Sequence, residues 1–133
     1  VDMRSVVVGH GAALAGDNGS EADHAKLRAL LSSEIKCVEE DWHSARDFHI
    51  LIAQMSGNPA TVLMVQSLIM LTEQQTAPMR TRRAAATNVN KIHEKVGSAI
   101  LQRKPEAARE LMRKHILALD PWLGEAKKVA KRA

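Results

Sequence analysis

At 133 residues, 45% of them apolar and 26% charged, the chain has material for one core and one domain. Aromatic residues make up 2%, with no tyrosine and a single phenylalanine, which excludes a platform for stacking single-stranded bases. It also suits a helical bundle filled with Leu, Ile, Val, Met and Ala better than a β-sandwich. The formal charge of +4 is modest. Its basic clusters, Arg80, Arg82, Arg83 and Lys127, Lys128, Lys131, Arg132, read as a solvated loop and a frayed terminus rather than a nucleic-acid surface.

Val6 to Leu14 reads as a first helix, closed by the turn Gly16-Asp17-Asn18-Gly19. Ser20 is the expected N-cap of a second, with Glu21 and Asp23 at the positive end of its dipole. Leu27, Leu30, Leu31, Ile35 and Val38 carry its helical period. The register shifts near Glu39-Glu40-Asp41, and a third helix is expected to run to about Ser56, with Val38, Trp42, Ala45, His49, Ile52 and Ala53 on its stripe. Ser56-Gly57-Asn58-Pro59 marks a boundary: glycine ends one helix, asparagine caps the next and proline fits its first turn. From Val62 to Leu71 nearly every position is apolar, which predicts a helix at the centre of the bundle.

Thr76 to Thr87 is polar and basic and contains Pro78, so a loop or broken helix is expected there. A fifth helix follows from about Asn88 to Arg103, with Val89, His93, Val96 and Ile100 on one stripe. Pro105 starts a sixth, whose stripe is Ala108, Leu111, Met112, His115, Leu119 and Trp122. Asp120-Pro121 should kink or restart it, because the residue before proline avoids the α region. No strand-like alternation or repeat is present, and the fold class is all-α. Cys37 is alone, so no internal disulfide forms and a reducing, cytoplasmic setting is expected. Thr61 to Leu71 is too short to span a bilayer, no signal peptide is visible, and the opening at Val1 suggests a piece of a longer protein.

Three histidines stand out because each occupies the middle of a different apolar stripe. His93 and His115 are both 11 residues from Lys104 at the predicted turn. Two antiparallel helices rising about 1.5 Å per residue would set both rings at one level, roughly 16 Å from that turn. His49, about nine residues before the Asn58 boundary, fits a similar depth. Three inward imidazoles can share a metal, line a metal-free polar pocket, or serve as separate core residues. Neutral imidazole suits Zn, Ni, Fe or Cu, and three protein ligands leave a position for water or a substrate oxygen. His24 is expected near an exposed helix start, and His10 among small residues. Glu40-x-x-His43 matches half of a di-iron pair, but the second pair is missing, so a solvated surface pair is expected.

The run Arg46-Asp47-Phe48-His49, then Ile52-Ala53 and Ser56-Gly57-Asn58-Pro59, resembles the signature of the FadR C-terminal (FCD) domain, the effector-sensing half of FadR-type regulators in the GntR family of bacterial transcription factors. His93, Ala99-Ile100, Ala108, Met112 and His115 resemble the second half of that pattern, including its 22-residue His-to-His interval. Arg4 resembles the arginine that opens the domain's first helix. The resemblance spans essentially the whole chain. It implies an antiparallel bundle of six or seven helices around a central ligand or metal cavity. His49, His93 and His115 match the family's three histidines, which hold a divalent metal such as Zn or Ni and help to bind a small organic acid. The family's aspartate falls one turn earlier, where this chain has Ala45, and Val8 replaces a first-helix glutamate; some relatives bind acyl-type ligands without metal.

The resemblance further implies that the chain, residues 1–133, is the sensing half of a homodimeric regulator. DNA would be read only by an N-terminal winged helix-turn-helix domain that this chain lacks, and no membrane is involved. Effector contacts are expected from Arg4, His49, His93 and His115, with Trp42, Ile52, Val96 and Met112 as apolar walls or plain core. No enzyme activity is expected. The competing reading is a metal-dependent hydrolase using an open three-His site, against which stands the lack of a placed general base. A purely structural helical bundle is the third reading.

Overall fold

Asp2 starts the fold by capping α1 (Met3–Asn18): its carboxylate accepts the Arg4 backbone N–H at 2.9 Å, and the Ser5 hydroxyl donates to the Asp2 carbonyl. The computed structural model describes residues 2–36, 42–76 and 84–132. It arranges them as α1, α2 (Glu21–Lys36), α3 (Trp42–Met55), α4 (Pro59–Thr76), α5 (Ala84–Leu101), α6 (Pro105–Leu117) and α7 (Asp120–Arg132), with no strand among the described residues. The all-α expectation holds. Helix α1 begins earlier and ends later than its apolar residues suggest, running through Gly16 to the Gly19 cap.

The centre of the bundle is α1, which touches α3, α4, α5 and α6. Its buried residues are Ser5, Val8, Gly9, Gly11, Ala12, Ala13, Ala15 and Gly16, nearly all small. Small side chains let neighbouring backbones close in: a methyl added at Gly16 would lie 3.1 Å from Pro105 Cα, and one at Gly9 would lie 3.3 Å from the Arg109 carbonyl oxygen. This corrects the expectation for α4. That helix buries Thr61 and Val65 but leaves Leu63 66% and Met70 54% exposed, with Met64 and Leu71 also exposed. An apolar run with large side chains all round has no room at a crossing already crowded by four neighbours, so size rather than hydropathy decided which helix went inside.

Junctions follow the local chemistry. Ser20 and Asp23 form a reciprocal cap at the start of α2, Asp23 accepting from the Ser20 N–H at 3.0 Å and its own N–H reaching the Ser20 hydroxyl at 3.1 Å. Those bonds from Ser20, the backbone one foremost, hold the Asp23 carboxyl below its usual range. Gly57 adopts φ +71° after α3, and Asn58 accepts the Ala60 N–H at the start of α4. Helix α5 starts at Ala84, so Ala84 to Thr87 are helical rather than loop; an alanine run is the strongest of helix formers. It ends in a Schellman turn, the Lys104 N–H bonding Ala99 O and the Arg103 N–H bonding Ile100 O. Arg103, at φ 54°, takes the left-handed position that glycine usually fills, and its guanidinium donates to the Gly19 carbonyl at 2.9 Å. The break at Asp120-Pro121 is real: α6 stops at Leu117 and α7 restarts at Asp120.

Several sequence readings lie outside the described residues. They include Cys37, the register shift at Glu39-Glu40-Asp41, Glu40-x-x-His43, the basic run Arg80, Arg82, Arg83, and the side chains of Trp42, Ala45, Val89 and Trp122. Among the described residues no helix is long and apolar enough to cross a membrane.

Candidate metal and effector centre

Helices α3, α5 and α6 each bury one face in the core, and each contributes one histidine there. His93 is 0% exposed, His115 7% and His49 9%. The equal-arm spacing about Lys104 brings His93 and His115 together, with their Nε2 atoms 3.2 Å apart. His49 joins them across α3, its ring centroid 5.2 Å from that of His93 and 5.4 Å from that of His115. One nitrogen from each ring lies within 4.8 Å of the other two. The convergence predicted from spacing is therefore present.

Burial sets the charge state. Desolvation pushes His93 and His115 down to about 3, the proximity of His93 adding to the effect on His115. His49 is driven well below its ordinary value by burial first and then by the two neighbouring rings. All three are neutral near pH 7 and offer lone pairs. His49 Nδ1 is buried with no hydrogen-bond partner, which leaves a polar atom whose desolvation is uncompensated within the protein.

This donor set fits a divalent ion. Two nitrogens bound at about 2.0–2.1 Å to one ion lie roughly 3.0–3.4 Å apart, and the His93–His115 separation of 3.2 Å falls inside that window. The same separation also accommodates one N–H···N hydrogen bond in the metal-free form. No Asp, Glu or Cys joins the cluster among the described residues, so a general base is not placed beside it.

Phe48 entered the sequence reading only as part of the family signature, with no role at the site. It stacks on His93 at a centroid distance of 3.9 Å and 13° between planes, and it meets His49 edge-on. Buried at 0% exposure, it backs the cluster with an apolar plate. The available signal was its place as the chain's only phenylalanine, beside His49. Ile52, Val96 and Met112 are buried in the same core.

Two other expectations need revision or relocation. His24 is 3% exposed rather than near solvent, and its Nε2 has no partner. It lies on the inner side of α2's first turn, three residues before the fully buried Leu27, with Gly19 close by. His10 is exposed beside Arg109. Arg4 is held by two carboxylates, Asp2 and Asp120, each at 2.6 Å, so it ties the start of α1 to the start of α7. Hydrogen bonds donated to Asp2, then to Asp120, raise its already high pKa. Its Nη1 nevertheless stays buried and without a partner.

The described residues thus form an all-α bundle whose core brings three buried, neutral imidazoles together. Residues 1–118 match the family model of the FCD domain, and the chain belongs to that family. It is a ligand-sensing regulatory domain of the GntR type, a class of effector-binding rather than enzymatic domains. The match closes with α6, and α7 lies beyond it. No curated protein matches the chain.

Proposed function

We propose that this domain senses a small organic acid or acyl compound in a central cavity headed by His49, His93 and His115, and so controls DNA binding by an attached winged helix-turn-helix domain in a homodimeric cytoplasmic regulator. The observation that carries the reading is the trio itself: three buried neutral imidazoles from three helices, with one ring nitrogen unsatisfied. His49, His93 and His115 would hold a divalent ion such as Zn or Ni, which would supply a Lewis-acid position for an effector oxygen. Arg4 is the second polar group assigned to the effector, because its Nη1 is buried without a protein acceptor and a guanidinium pairs readily with a carboxylate. Ile52, Val96 and Met112 supply apolar wall.

Effector binding acts on DNA only through a difference in affinity for two packings of the bundle. Native mass spectrometry with elemental analysis of protein from its own host tests the reading, together with a turnover screen. One metal per chain, a retained acid and no turnover are expected, with the metal lost in His93→Ala. Protein that carries neither metal nor ligand, and whose melting is unmoved by chelator and by organic acids, would refute it. Hydrolysis that disappears in His93→Ala would put an enzyme in its place.

A further inference from the structure

We propose that the centre formed by His49, His93 and His115 takes a divalent ion and a free carboxylate together, each tightening the other, so that the domain responds to the pair rather than to either alone. The inference rests on the sensor reading above and adds a regulation to it. Its ground is the charge of the donor set. Three neutral imidazoles bring no negative charge to an ion, and at three and four residues on either side of each histidine the sequence has no Asp or Glu. Asp47 and Glu94, next to His49 and His93 in the chain, are exposed. Among the described residues no carboxylate is buried in the core. His49 Nδ1, buried without a hydrogen-bond partner, has no acid behind it either.

The protein would therefore leave a bound divalent ion with its whole double charge, in surroundings of low polarity. Phe48, stacked on His93, is fully buried, and Ile52, Val96 and Met112 belong to the same buried core. A charge placed there is costly unless a counter-charge arrives with it. Three protein ligands leave a coordination position open, and a carboxylate brings to it both an oxygen donor and a negative charge. Such coupling is reciprocal: the factor by which the anion tightens the metal is the factor by which the metal tightens the anion. An ester or amide of the same acid offers an oxygen but cancels no charge, so the centre selects free acids over neutral acyl compounds.

Zinc affinity of the 133-residue chain, measured by competition with a chromogenic chelator in chloride-free buffer, tests this with acetate and acetamide as probes. The two have the same shape and both offer an oxygen, but only acetate is charged. At about pH 6.5 a zinc-bound water ordinarily keeps its proton, so hydroxide does not stand in for the acid. Acetate should tighten zinc about a hundredfold and acetamide less than about threefold, and zinc should tighten acetate by the same factor in the reverse titration. Ala45→Asp sets a carboxylate one turn before His49 on α3. It should tighten zinc without any acid and cut the acetate factor to about fivefold or less. The comparison of acetate with acetamide is made on the unaltered chain and stands whether or not that variant folds. Zinc bound equally in acetate and acetamide, or an acetate factor that persists once Ala45→Asp has tightened zinc, would overturn the coupling and leave the sensor reading intact. Zinc bound in none of these buffers would overturn both.

Discussion

Acidifying the metal-free protein should unfold it through its histidines. His93 and His115 titrate at about 3 in the folded chain and near 6.5 when unfolded. The unfolded state therefore binds the extra protons, and stability falls as pH drops from about 6.5 toward 3. Above pH 6.5 both states are neutral and nothing is lost. Between pH 7.5 and pH 5.0 each histidine forfeits about 1.5 units at 1.36 kcal/mol per unit, or about 2 kcal/mol. The two together cost about 4 kcal/mol, a large share of the ~5–15 kcal/mol that holds a typical domain. Urea denaturation with a chelator present, at a series of pH values, reads this directly. His115→Leu, which removes one of the three depressed rings, since His49 is also held well below its ordinary value, should cut the slope between pH 6.5 and 5.0 by about a third. A midpoint that does not move across that window would refute the claim that these rings are buried neutral. A wild-type slope of two protons rather than three would show that the 3.2 Å Nε2 pair holds a shared proton in the folded state.

Metal removal offers a second measurement: if the ion is present at about 100 times its Kd it contributes about 2.7 kcal/mol. Chelation should then lower Tm by roughly 8–12 °C at the entropy of a domain this size, and His93→Ala should abolish the difference. Asp2→Ala removes both the α1 cap and an Arg4 partner and should cost about 1–2 kcal/mol in thermal or urea unfolding. Asp120→Asn, at a half-exposed ion pair, should cost less than about 1 kcal/mol. Gly57→Ala places a side chain at φ +71° and should destabilise by about 1–2 kcal/mol despite open space around it; an unchanged urea midpoint would contradict that.

What the sequence disclosed was what depends on local chemistry and on counting along a helix. Asn58-Pro59, Ser20 and Asp120-Pro121 each marked a helix end because their backbone preferences act within a turn. The meeting of His93 and His115 followed from equal distances to one hairpin. Contacts between distant segments were not legible. Nothing near Arg4 announces Asp120, 116 positions away. The burial of His24 depends on which side of α2 faces Gly19, a choice made by packing. The displacement of α4 to the edge had the same origin, since the Gly and Ala of α1 were read only as part of a first helix and not as room for four neighbours.

The α5–α6 hairpin has a mechanical consequence. Its turn is clamped by the paired backbone bonds at Arg103 and Lys104 and anchored to the Gly19 carbonyl, so it acts as a fulcrum. With the histidines roughly 16 Å out along each arm, splaying the arms by about 4° parts them by about 1 Å. Ala84, at the far end of α5, lies roughly 30 Å from the same pivot, so the same splay carries it about twice as far. An ångström-scale adjustment around a small molecule is thereby doubled at the opposite end of the bundle, with no hinge needed in between.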